Sequence, residues 1–361
     1  MKTTPLHGGQ LRAIAARFGV SASELLDFSA NINPEGPPSA VKAALLHALE
    51  APSTLMDYPD LEELALRESL ARYAGVRAEN VAASNGFVSL LDAALRVLPV
   101  RRCLVPMPAF VEYRRTLERA GVTVVPHALS SAESFRIDSA ALFEQDCDAI
   151  LLANPQNPSG VLTSREALLE IVEEAARRDL FVFLDEAFID YAPEATLSAE
   201  VERFPKLIIF RSVTKFFGMA GLRVAYALAS VEMRSRMQEA IAPWSVTTLA
   251  SLAAACAVQD EAYAQRTLAL NFDRRQGLEQ MLAASRIPFY PAAANYLLLR
   301  LPDSIDAQAF WERMIREHRI VLRDCANYEA LERGHLRIAV RTEAENARLV
   351  QAFTALLHDL R

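Results

Sequence analysis

Five short apolar runs punctuate the middle of the 361-residue chain: Cys103–Val105, Val122–Val125, Ala149–Leu152, Phe181–Leu184 and Leu207–Phe210. Runs this short and this continuously apolar read as strands buried on both faces. Amphipathic stretches separate them. Between the third and fourth, Thr163 followed three residues later by Glu166 reads as a capping box, and an apolar stripe continues to Ala176. Strands alternating with helices predict an α/β chain with a mostly parallel central sheet and helices on both faces. Ligands in such sheets bind beyond the carboxyl ends of the strands. The C-terminal part changes pattern, with strand-like Asn295–Leu301 and Leu336–Val340 and helix-like Ala307–Glu317 and Glu343–Leu357, and so predicts a smaller α+β domain. The expected division is an N-terminal segment (1–45) packing with the small domain, a large domain (46–250) and the small domain itself (251–361).

Composition narrows the class. Hydrophobic residues make up 52% and charged residues 23%, the balance of a globular chain. No apolar run is long enough to cross a bilayer, and no secretory signal opens the sequence, so no membrane partner and a cytoplasmic location are expected. The four cysteines, Cys103, Cys147, Cys256 and Cys325, show no paired spacing, which argues against a metal site or a disulfide framework. A net charge of −7 offers nothing to nucleic acid. Any anionic ligand must therefore be held by local arginines.

The stretch Ser212-Val-Thr-Lys215-Phe-Phe-Gly218-Met-Ala-Gly221-Leu-Arg223 follows the last buried strand directly. A lysine among apolar neighbours gives up its proton more easily than one in water, which is what a nucleophilic amine needs. Leu184-Asp185-Glu186-Ala187-Phe188 puts an acid at the end of a buried strand, where a carboxylate is costly unless it has work to do. Asn154-Pro-Gln-Asn157-Pro-Ser-Gly160 supplies a third motif, also readable as a plain turn. Taken together and in this order, the three resemble the signatures of the pyridoxal-phosphate (PLP)-dependent enzymes of the class I and II aminotransferase family, with the PLP-dependent transferase fold type I. The resemblance implies PLP as cofactor, with Lys215 as its catalytic Schiff-base lysine and Ser212 and Arg223 on its phosphate. It further implies Asp185 against the ring nitrogen and Asn157 against the ring oxygen.

Further positions follow from the same resemblance. Gly86, Phe87 and Val88 open a helix pattern whose N–H groups would receive the cofactor phosphate. Phe110 stands where an aromatic ring stacks on the cofactor. Tyr58 stands where the family reaches the phosphate of a partner subunit's cofactor, implying a homodimer with shared active sites. Phe188 replaces a tyrosine common among relatives. Arg337, in an otherwise apolar strand, corresponds to the arginine that grips the amino-acid carboxylate.

Two terminal stretches narrow the branch. His7-Gly8-Gly9 precedes Asp27-Phe-Ser-Ala-Asn31-Ile-Asn33-Pro34, and Arg323-Asp-Cys-Ala-Asn327-Tyr328 comes near the end. The pairing resembles the L-threonine-O-3-phosphate decarboxylases of cobalamin biosynthesis, cousins of the histidinol-phosphate aminotransferases. That likeness implies a small phosphorylated amino-acid substrate, bound by His7, Asn31, Asn157, Arg323 and Arg337, that loses carbon dioxide. An aminotransferase acting on histidinol phosphate is the alternative. Both use the same cofactor residues.

Overall fold

The computed structural model describes residues 7–360. Among them, the strands in chain order are β1 (Leu26–Asp27), β2 (Val81–Ser84), β3 (Arg102–Met107), β4 (Thr123–Ala128), β5 (Ala149–Ala153) and β6 (Phe181–Asp185). They continue with β7 (Leu207–Ser212), β8 (Ala225–Leu228), β9 (Tyr296–Arg300), β10 (Ile320–Val321), β11 (Arg323–Asp324) and β12 (His335–Ala339).

Four of the five apolar runs became β3, β5, β6 and β7, covered on both faces, whereas the run Val122–Val125 led into β4, an edge strand whose Thr123, Pro126 and Ala128 are exposed. Leu104, Ile150, Leu152, Val182, Leu184, Leu207 and Ile209 face one core layer. Their sequence neighbours Cys103, Val105, Ala149, Leu151, Phe183, Ile208 and Phe210 face another. The period-2 alternation of a strand is thus present but invisible in hydropathy, since water meets neither side. A fully buried Leu or Phe of this kind stabilises the fold by roughly 2 kcal/mol.

The central sheet has seven strands in the order β2-β8-β7-β6-β5-β3-β4. It is parallel throughout except for β8, which is antiparallel to both of its neighbours. Strands β2 and β8 escaped the hydropathy reading because they are short and alanine-rich. β2 points the same way as β3 to β7, so the carboxyl ends of six strands open on one edge. Chain order reverses between β3 and β5, a topological switch point where a crevice forms beyond the strand ends.

A smaller antiparallel sheet, β11-β12-β9, carries the second core with helices Ala307–His318 and Glu343–Asp359. Ile14, Ala15, Leu25 and Phe28 of the N-terminal segment belong to this core, and β1 pairs with β10. Val41 instead packs with the large sheet. So do Ala250, Ala253, Ala254 and Ala257 of the helix Thr248–Ala257, within which the expected division at 250/251 falls. The helix Glu261–Ala284 reaches both cores, through Tyr263 in the first and Leu278 and Leu282 in the second.

The capping box expected at Thr163 does not form. Ser164 is the cap of helix Arg165–Arg177 and accepts from the Ala167 N–H. Thr163 is drawn one residue back into the turn, where its N–H donates to Asn154 Oδ1 and its carbonyl accepts from Asn154 Nδ2.

Candidate active site

A pocket of about 380 Å³ lies at the carboxyl edge of the large sheet, closed on its other side by the small domain. Each wall comes from a loop that begins where a strand ends. After β3 come Phe110 and Glu112, after β5 Asn157, at the end of β6 Asp185 with Phe188, and after β7 Lys215 and Arg223. The small domain supplies Arg323, Tyr328 and Arg337, and the N-terminal segment supplies His7, Ser29 and Asn31.

Lys215 is half-buried, and no hydrogen bond or ion pair ties its amine among the described residues. Burial, with Arg223 and Arg337 nearby, lowers its pKa to about 8, against the opposing pull of Asp185. Asp185 is buried. Burial raises its pKa to about 6, opposed by the Tyr113 hydroxyl and the Ala187 N–H, both of which donate to it, and by the charge of Lys215. An amine brought toward neutrality near an acid held above its ordinary range is a combination that reactive sites employ.

Arg337 is the hub of the small-domain wall. Its guanidinium donates to Asn157 Oδ1 at 2.6 Å, to the Tyr328 hydroxyl at 3.2 Å and to the Ser29 carbonyl at 3.3 Å. Its Nε is buried and has no partner among the described residues. The Tyr328 hydroxyl donates in turn to Asn157 Oδ1 at 3.2 Å, leaving the Asn157 amide N–H groups for a ligand. Arg323 stacks over the Tyr328 ring, 5.2 Å from its centroid, and donates to the Asp324 carbonyl and to Asn327 Oδ1. Asn31 is buried, its Oδ1 unpartnered among the described residues.

The N-terminal motif has a steric reason. A side chain on Gly8 would place its Cβ 2.0 Å from the Ser29 carbonyl oxygen, so only glycine permits the contact. The Gly9 N–H donates to Ser29 Oγ at 2.9 Å, and Ser29 is held by Asp27. His-Gly-Gly is therefore a strap docked on the Asp27–Asn31 loop, with His7 turned into the pocket. The second asparagine of that loop has a different task. The Asn33 N–H donates to the Lys215 carbonyl, and its amide to the Phe216 carbonyl and the Tyr263 hydroxyl.

Not every residue picked from the sequence lines the pocket. Gly86 lies behind Arg223, close enough that a Cβ would meet Nη2 at 2.8 Å, and its φ of +89° starts the helix Phe87–Val97. Val88 lines the pocket, but the Phe87 ring packs beneath it between Tyr113 and Phe210. Ser212 caps the turn leading to Lys215, its Oγ shared with Thr214. Tyr58 is 79% exposed and stacks on Trp244, away from this chain's own pocket. Phe188 lines the pocket, edge-on to Tyr296.

Sequence reasoning missed Tyr113, Glu112 and the role of Tyr328. Tyr113 sits on the buried face of helix Val111–Arg119 and reads as ordinary core; only its spatial meeting with Asp185 gives it meaning. Replacing Tyr328 by phenylalanine is expected to raise the substrate KM about tenfold, the worth of one or two hydrogen bonds to a charged group. Cofactor affinity, measured by absorbance titration, should change far less; equal losses would count against this placement.

Residues 23–353 match the family model described as aminotransferase class I and II. The chain belongs to this aminotransferase family. It is 36% identical to the threonine-phosphate decarboxylase of Salmonella typhimurium over 97% of this chain and 96% of the relative. It is 29% identical to the histidinol-phosphate aminotransferase of Methanosarcina mazei, over 96% of this chain and 92% of that one. Among solved structures, the histidinol-phosphate aminotransferase of Sinorhizobium meliloti in complex with pyridoxal-5'-phosphate superposes with a TM-score of 0.86 at 23% identity, covering 100% of this chain and 98% of that one. The sheet order, the helices on both faces and the small domain are thus those of the aminotransferase fold, as the motifs implied.

The residues present fit pyridoxal phosphate. A half-buried amine with no partner among the described residues and a buried acid offset by neutral donors are the two groups that the aldehyde and the protonated ring nitrogen of that cofactor would satisfy. Arg223 and the N-terminus of helix Phe87–Val97 stand together for its phosphate. Among the described residues, no cluster of His, Cys, Asp or Glu could hold a metal ion, and no helix is long and apolar enough to cross a membrane.

Proposed function

We propose that this chain is a pyridoxal-phosphate-dependent decarboxylase that converts L-threonine-O-3-phosphate to (R)-1-amino-2-propanol phosphate, as in cobalamin biosynthesis. The observation that carries this reading is the charge count of the pocket. Three guanidinium groups, Arg223, Arg323 and Arg337, line a single pocket in a chain of net charge −7. Three anionic groups would use them: the cofactor phosphate, the substrate phosphate and the substrate carboxylate.

In this arrangement Lys215 would be the covalent anchor of the cofactor, Asp185 would meet its ring nitrogen and Asn157 its ring oxygen, Phe110 would cover its face, and Ser212 with Arg223 would hold its phosphate. When bound, the cofactor supplies an electron sink for the pair left on the α-carbon as carbon dioxide departs. The protein does the rest. Arg337, fixed by Asn157 and Tyr328, holds the carboxylate in one orientation. Arg323, His7 and Asn31 take the phosphate at the other end. Lys215, with its pKa near 8, holds or releases a proton at Nζ and can return one to the α-carbon.

Two copies are proposed to share their sites. Leu55, Met56, Tyr58, Leu61, Leu64 and Trp244 are large apolar side chains left exposed on the single chain, with Tyr58 stacked on Trp244. Tyr58→Ala is expected to lower cofactor affinity about tenfold, the loss of a charge-assisted hydrogen bond contributed across the interface. A chain that sediments as a monomer while binding cofactor normally would overturn the shared site. The cysteines, all free, suit a reducing cytoplasm.

The deciding experiment incubates the PLP-loaded protein with O-phospho-L-threonine and no keto acid, followed by mass spectrometry. Catalytic formation of aminopropanol phosphate is expected. Unchanged substrate, with turnover of histidinol phosphate and 2-oxoglutarate instead, would replace this reading with that of an aminotransferase.

A further inference from the structure

A pocket proposed to receive a phosphate dianion also contains a carboxylate, that of Glu112. Its Oε1 lies 3.0 Å from His7 Nε2, and the same oxygen accepts from Arg115 at 3.2 Å. Near a dianion an acid is repulsive unless something converts its charge to use. The ring of His7 is placed to do so. Glu112 occupies one ring nitrogen, and the other is what His7 has left to offer a ligand in the pocket it lines.

We propose that Glu112 is a positioning residue that makes His7 grip the substrate phosphate as an imidazolium, so that binding draws one proton from solution onto the ring. The argument is one of donors and acceptors. A carboxylate on one nitrogen and a phosphate dianion on the other are both acceptors, and a neutral imidazole carries a single N–H. Only the doubly protonated ring serves both. Among the described residues, the charged groups facing His7 are Glu112 and Arg115 from helix Val111–Arg119 and Arg323 from β11. Without ligand they leave the ring below its ordinary pKa: burial lowers it most, Glu112 opposes, and Arg323 and Arg115 add to the lowering. The free ring is therefore neutral at physiological pH, and the arriving dianion, added to Glu112, supplies the charge that protonates it. The consequence is selectivity for the fully ionised phosphate monoester and proton uptake on binding.

This inference rests on the reading of His7 as a phosphate ligand, and its test separates the two. The holoenzyme, with its histidine rings isotopically labelled, is titrated by NMR with and without saturating propyl phosphate, which carries the phosphate but neither amine nor carboxylate. In the wild type the proton affinity of His7 is expected to rise at least tenfold on ligand binding, and in Glu112→Gln most of that rise is lost, because the amide can donate to a neutral ring. An unmoved His7 titration, or an equal rise in Glu112→Gln, would overturn the proposal. His7→Ala is measured alongside. Propyl phosphate binding to it with wild-type affinity would instead remove His7 from the phosphate site altogether.

Discussion

Lys215→Met is expected to lose activity by about 10⁴-fold or more, the upper range of what a positioned proton-transfer group contributes, before its covalent role is counted. The bound cofactor should lose its lysine-dependent visible absorbance in parallel. The same substitution should stabilise the cofactor-free protein. Lys215 titrates near 8 when folded and near 10.4 in an unfolded chain, so at pH 7 folding forces a protonated amine into a largely desolvated site. That costs about 3 kcal/mol. A folded pKa below the unfolded one means the unfolded state binds more protons between the two values, so stability rises with pH across that window. Chemical denaturation of the cofactor-free proteins should therefore show the methionine variant ahead at pH 7, with the gap closing as pH rises from 8 toward 10.5. A wild type as stable as the variant at pH 7 would mean that the amine is solvated.

Arg337→Ala carries the second large effect. Arg337 is 7% exposed, with hydrogen bonds to Asn157, Tyr328 and Ser29 and a buried Nε that has no partner among the described residues. Removing one partner of a buried charge-assisted contact costs about 2–5 kcal/mol, which is roughly 30-fold to several thousand-fold in affinity. The loss should appear in kcat/KM for the amino-acid substrate, since a carboxylate held loosely is also held in the wrong orientation. Substrate analogues without a carboxylate should bind the variant and the wild type alike. If those analogues lose as much, Arg337 is bracing the pocket rather than meeting the carboxylate.

The parts of this molecule legible in the sequence were those whose chemistry is local. A lysine after a buried strand, an acid closing another and an arginine within a third announce themselves by being expensive where they stand. The small parallel strands did so by their unbroken apolar character. What escaped reading depends on distance in the chain. β2 and β8 are four-residue alanine-rich segments whose strand character comes from pairing with each other and with β7. Tyr113 resembles any core tyrosine until β6 brings Asp185 to its hydroxyl. Thr163 and Ser164 are equally good caps in isolation, and the Asn154 side chain, nine residues earlier, decides between them. Gly8 was visible only as part of a motif. Its reason, the Ser29 carbonyl, lies 21 residues downstream.

The loop from Phe28 to Asn33 joins the molecule's two halves over a very short span. Phe28 exchanges hydrogen bonds with β10 and with the end of β12, through Val321 and Ala339, while Asn33 is bonded to the Lys215 carbonyl. Asn31, its oxygen unpartnered among the described residues, lies between them. Mechanically this is a pivot fastened at both ends. The small domain is thereby anchored beside the lysine, and the pairs Arg337–Asn157 and Arg114–Glu329 fasten it to the large domain as well. The reacting end of the pocket is clamped from three directions.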